Sequence, residues 1–112
     1  MGDVAFGTRV KPGQNIVVTA ETVGVAAGQL LLGAGDATGR LAIHFQNTSV
    51  NTIYIGIDNT VVAASGRALA PASGANLGDG GSWTIDAGES QSFWAIASGA
   101  NSTLIVVELR GV

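Results

Sequence analysis

Few side chains in this 112-residue chain could do chemistry, and their spacing restricts what they could do. His44 is the sole histidine. It falls on the polar side of an alternating segment, with no second base to share general acid–base work. A nucleophilic triad needs Ser or Cys beside a positioned histidine. The chain has no cysteine, and its serines occupy no G-x-S-x-G turn. His44 therefore reads as a surface or interface residue. Asp86 and Glu89 form a close carboxylate pair, with Asp36, Asp58 and Asp79 elsewhere. Paired carboxylates can hydrolyse glycosides or hold calcium. Each of these lies in turn composition, where acidic side chains accept from local amides, and no D-x-D-x-D ladder occurs. Gly33-Ala34-Gly35-Asp36-Ala37-Thr38-Gly39 has the glycines of a phosphate loop but leads into a strand instead of a helix, so it reads as a turn. The reading is of a protein that is not an enzyme, with no catalytic, cofactor-binding or metal-ligating residue.

The aromatics offer a different chemistry. Trp83 shares a strand face with Ile85, which places it in a core. Phe93 and Trp94 are adjacent, so in a strand they point to opposite sides of the sheet. Trp94 is then an interface residue, since tryptophan is enriched at binding hot spots. The alternative is a carbohydrate- or receptor-binding module in which Trp94 and Tyr54 stack on sugar rings.

The elements that must position these residues are strands. Glycine, at 17 positions, interrupts every apolar run, and no stretch sustains helical periodicity. Leu41, Ile43 and Phe45 alternate with polar or small residues, as do Ile53, Ile55 and Ile57. Asn47–Asn51 between them reads as a hairpin connection. Trp83 and Ile85, then Gln91–Ala97, give two more strands around the turn Asp86–Ser90. Gln14–Ala20, Gln29–Gly33, Arg67–Ala70 and Thr103–Leu109 bring the total to about eight, the signature of a sandwich or jelly roll. Pro71 ends its strand, Ala72–Gly81 reads as a flexible loop, and residues 1–13 read as an extended N-terminal arm. The expectation is an all-β protein, a single β-sandwich or jelly-roll-like domain over residues 14–112.

Charged residues make up 12% of the chain, about half the usual share. A surface of Ala, Gly, Ser, Thr and Asn desolvates cheaply, as interface cores do. The net charge of −3 and five scattered cations exclude a nucleic-acid footprint. No apolar run approaches the roughly 18 residues of a spanning helix, so no membrane partner is expected. The opening Met1-Gly2-Asp3 carries no secretory leader pattern. In Leu104-Ile105-Val106-Val107 the apolar residues do not alternate, so both strand faces seek burial, one of them against a neighbouring subunit. Leu30-Leu31-Leu32 makes the same demand. The candidate interface residues are Phe6, Arg9 and Val10 in the arm, with Trp94, Ile105 and Val107 in the strands.

Phe45-Gln46-Asn47-Thr48-Ser49, Asn51-Thr52-Ile53-Tyr54-Ile55-Gly56, Leu69-Ala70-Pro71, Asp86-Ala87-Gly88-Glu89-Ser90, Phe93–Ala100 and Val106-Val107-Glu108-Leu109 together resemble a style of sequence common among small virion proteins of tailed bacteriophages. The resemblance covers roughly residues 40–110. It implies a virion component: a capsid decoration (cement) protein, or an accessory protein of head or tail. It further implies partners in the major capsid protein or another virion protein and in copies of the chain itself, with a trimer as the oligomer. It hands over no catalytic residue and no cofactor.

Overall fold

The computed structural model describes residues 15–30, 39–74, 76–86 and 91–111. Among these residues eight strands follow one another: β1 (Asn15–Val23), β2 (Gly28–Gln29), β3 (Arg40–Asn47), β4 (Ile53–Gly56), β5 (Arg67–Leu69), β6 (Ser82–Ile85), β7 (Trp94–Ala97) and β8 (Ser102–Arg110). They form two antiparallel four-stranded sheets, ordered β1-β8-β3-β6 and β2-β7-β4-β5. Only β4 and β5 are sequence neighbours within one sheet; every other connection crosses between sheets. This is the strand order of a jelly roll, so the expected all-β sandwich is the observed architecture.

The crossing corrects one local expectation. Asn47–Asn51 is not a hairpin, because β3 and β4 belong to different sheets. Both strands carry alternating apolar residues, and the two rows meet face to face across the core instead of lying side by side. Ile43 and Phe45 of β3 face inward with Leu104 and Val106 of β8; Ile53 and Ile55 of β4 face them with Leu69, Ala95 and Ala97. Phe45 is the centre, its ring 5.9 Å from Trp83 and 5.2 Å from Phe93, stacked on the first and edge-on to the second. Full burial of each large apolar side chain contributes about 1.5–3 kcal/mol. At the β5/β6 margin the Arg67 guanidinium lies 5.4 Å over the Trp83 ring and closes the gap between sheets.

One end of the sandwich is organised by a polar side chain. Asn47 is fully buried, and its Nδ2 donates to the carbonyls of Asn51, Leu69 and Ala70 at 2.8, 3.0 and 3.1 Å. Its Oδ1 accepts from the Ser49 backbone N–H and hydroxyl. The Asn47 backbone N–H in turn donates to Gly81 O. The amide thus ties the end of β3 to the crossing loop, to the end of β5 and to the start of β6. Gly80 is required here, since a Cβ at that position would meet Asn47 O at 1.9 Å. The segment Ala72–Gly81, expected as a flexible loop, carries local structure on either side of residue 75, which lies outside the described residues. Ala72 is buried, a 3-10 turn spans Leu77–Asp79, and Asn76 caps it through Gly78 N.

The other end holds charge. The register shift between Arg40 and Ala42 turns Arg40 inward beside Arg110 and leaves Leu41 exposed. Glu108, with no exposed side-chain surface, lies 3.5 Å from Arg40 and accepts from Arg110 at 3.0 Å. Arg40 also donates to Gln91 O, and its guanidinium lies 5.4 Å over the Phe93 ring. Burial draws the Arg40 pKa below its ordinary value, and the Glu108 carboxylate opposes that shift. Two arginines on one carboxylate close this end of the barrel-like interior, a pairing whose separation is costly because it strands a buried charge.

Replacing Asn47 with Leu leaves three carbonyls and two Ser49 donors without this partner, the Leu69 carbonyl in a fully buried position and the others partly buried. The expected loss is about 2–4 kcal/mol of unfolding free energy, read as a lower urea midpoint at unchanged slope.

Candidate functional site

The side chains that could act on a partner lie on the two outer sheet faces. On the β1-β8-β3-β6 sheet, strand alternation sends Ile16, Val18, Ala20 and Thr22 of β1 outward. Their register partners Leu109, Val107, Ile105 and Thr103 of β8 stand beside them. Ala42, His44 and Gln46 of β3 continue the same rows, and Thr84 and Ser82 of β6 complete two of them. No outward-facing residue of these strands carries a formal charge at neutral pH. Val18 is 64% exposed and Ile16 40%, whereas Ile105 and Val107 are half-buried among their neighbours. Ala42 and Leu109 are buried on this face without belonging to the central core.

The doubly apolar run of β8 is therefore split as its lack of alternation requires. Leu104 and Val106 have no exposed surface in the core, and Ile105 and Val107 turn outward. Ile16 and Val18 are the residues the sequence reading missed. Their signal was present in the non-alternating Ile16-Val17-Val18, but nothing along the chain shows that β1 will lie against β8.

His44 sits in the middle of this face, between Val107 and Thr84. Its Nδ1 is 2.6 Å from Thr84 Oγ1. The alternation within β3 alone marks its side as polar, yet β8 and β1 make the surrounding surface apolar. Partial burial holds the imidazole pKa below its ordinary value of 6.5. A histidine and a hydroxyl at hydrogen-bond distance have the makings of a base and nucleophile, but this pair stands on a sheet face away from one indentation found among the described residues. That indentation is shallow and lies over the other sheet, lined by Gly56, Asp58, Thr60 and Val61 among others.

Asp58 and Asp79 behave as turn formers. Asp58 accepts from the Thr60 N–H and hydroxyl, which hold its carboxyl below the usual range. Asp79 accepts from Ser73 N. Asp86 is exposed after β6, whereas Asp36 and Glu89 lie outside the described residues. Among the described residues no group of three His, Asp or Glu side chains is placed to hold a metal ion. Among the described residues no helix is long and apolar enough to cross a membrane.

The outer face of the β2-β7-β4-β5 sheet carries the second candidate surface. Tyr54 and Trp94 are both half-buried there, on adjacent strands. Trp94 is opposite Gly56 and Tyr54 opposite Ile96, so the two rings are diagonal neighbours on one face. Val61 packs on Gly56, where an added Cβ would meet its side chain at 2.6 Å, and so borders this aromatic patch. Phe93 goes into the core at 1% exposure, which leaves Trp94 the outward member of the pair.

Of the candidate interface residues, Ile105 and Val107 therefore share one face and Trp94 stands on the opposite one. No single flat contact covers all three. Phe6, Arg9 and Val10 lie outside the described residues. In the comparisons with known proteins, no family model, no curated protein and no solved structure matches the chain.

Burial favours the neutral imidazole, so His44 contributes its full share to stability above the ordinary histidine pKa. That share falls as pH drops through about 6.5 towards the lower folded value. The expected result is a urea midpoint that declines on this acidic limb in the native protein and declines less in His44→Gln.

Proposed function

We propose that this chain is a structural protein of a tailed-phage virion, a capsid decoration (cement) protein acting through protein–protein contact and without catalysis. The observation that carries the assembly part of this reading is the outer face of the β1-β8-β3-β6 sheet, apolar along β1 and β8 and free of formal charge. Four strands about 4.8 Å apart and up to nine residues long at about 3.3 Å each span roughly 500 Å², within which Ala42 and Leu109 are already buried. That is one partner's share of the smallest specific interfaces, which bury about 1,000 Å² in total. Docking such a face against the shell releases water from apolar side chains without stripping ions. A rigid sandwich spanning neighbouring shell subunits would stabilise them by binding only their assembled arrangement. The phage assignment itself rests on the sequence resemblance over residues 40–110.

The partner in this reading is the capsid shell. Purified protein added to capsids lacking decoration is expected to co-sediment at saturable stoichiometry and to raise their resistance to heat. Val107→Asp places a charge at the centre of the face and is expected to weaken that binding at least about tenfold, the scale of one buried unpaired charge. Failure of the native protein to bind any such shell would overturn the cement reading.

A second reading has its own observation. Tyr54 and Trp94 stand together on the opposite face, a geometry suited to stacking on sugar rings in a carbohydrate- or receptor-binding module of a tail or fibre. That reading expects oligosaccharides to quench tryptophan fluorescence, with the response lost in Trp94→Ala and kept in Val107→Asp. A flat titration in the native protein removes it.

A further inference from the structure

Building on the proposal that the β1-β8-β3-β6 face docks against a capsid shell, we infer that His44 makes this contact sensitive to acid. The neutral ring fits a closed interface, and the protonated ring opposes it.

Among the outward-facing side chains of these four strands, His44 is the one that changes its charge near neutral pH. The others are aliphatic, hydroxyl-bearing or amide. Its strand, β3, lies between β8 and β6, so the ring stands inside the face and not at an edge. Val107 is opposite it on β8 and Thr84 opposite it on β6, with Ala42 and Gln46 on either side along β3. Beyond Val107 the same row continues to Val18 of β1. None of these neighbours is titratable. Asp86, exposed two positions past Thr84, is the carboxylate nearest to that residue along the chain. Glu21, Glu108 and Arg110 alternate to the inner side of the sheet, and Arg40 is turned inward with them.

A partner closing over this row takes the imidazole out of water. Neutral imidazole keeps its bond to Thr84, whose Oγ1 is 2.6 Å from Nδ1. Imidazolium keeps that bond as well, because a protonated Nδ1 donates where a neutral one can accept. The two states therefore differ in charge, and burying a charge among aliphatic side chains is costly. Already in the single chain, burial holds His44 below its ordinary pKa of 6.5. Deeper burial in a contact moves it further the same way. A group with a lower pKa in the complex than in the free chain binds best when neutral. Affinity is then full above the free-chain pKa. Below it, affinity falls by up to about tenfold per pH unit until the pKa of the complex is reached.

The experiment compares the native protein with His44→Gln on capsids lacking decoration, at about pH 7.5 and about pH 5, spanning the ordinary histidine pKa. Glutamine is uncharged at both and can still bond Thr84. Near-UV circular dichroism at each pH checks that both proteins are folded. The native protein is expected to bind at least about tenfold more weakly at the lower pH, and His44→Gln to lose less than about threefold. Equal losses in the two proteins overturn the inference, because the shell or another group would then be titrating. A flat native profile overturns it too, and leaves the cement reading standing. Tighter native binding in acid also overturns it, since a carboxylate of the partner would then face His44. A native protein that binds no shell at either pH removes the cement reading and this inference together.

Discussion

The Asn47 amide is the interaction on which one end of this fold depends. A jelly roll must pass its chain between sheets at almost every connection, and each crossing exposes backbone carbonyls that no ladder satisfies. At this end the loop after β3, the end of β5 and the start of β6 converge. One fully buried side chain serves them, donating to three carbonyls and accepting from Ser49. Asn51 extends the network to Ser102 at the start of β8, and Ser102 passes it to Gly99 O. Apolar packing around Phe45 supplies most of the favourable free energy, but it is non-directional. The amide specifies which loop meets which strand.

The opposite end solves a related problem with charge. Arg40, Glu108 and Arg110 stand where inward-facing strand positions run past the apolar core. Burying ions is costly, and well-packed apolar residues can replace such groups without loss of stability. What the cluster adds is direction. The Arg40 guanidinium reaches both Glu108 and the Gln91 carbonyl while covering Phe93, so it links β3, β8 and the approach to β7. Each end is thus held by specific polar contacts that join one sheet to the other.

The outer faces differ in chemistry. One is aliphatic and neutral, crossed by the His44–Thr84 pair; the other carries Tyr54 and Trp94 beside the loop that holds Val61. A chain with few charges must leave such surfaces, because it lacks the ions that would cover them. Low charge content and large uncharged faces are one property seen at two levels.

Period-two alternation and frequent glycine were enough to establish an all-β chain of about eight strands, because strand facing is a local property. The split of Leu104–Val107 between two faces was legible for the same reason; adjacency showed that Phe93 and Trp94 point to opposite sides, and only the structure puts Phe93 in the core. Topology was not legible. Asn47–Asn51 has the composition of a hairpin, and only the choice of facing rows over adjacent ones makes it a crossing. Glu108 looked like one polar residue at the end of a strand; its partner Arg40 is 68 positions away in the chain, and a register shift turns it inward. His44 was read as lying on a polar face because three residues on either side are all that a strand pattern samples. The character of a sheet face is set by neighbouring strands, and here those come from the two ends of the domain, β1 and β8. Local sequence determined which way each side chain points, while tertiary pairing decided what it points at.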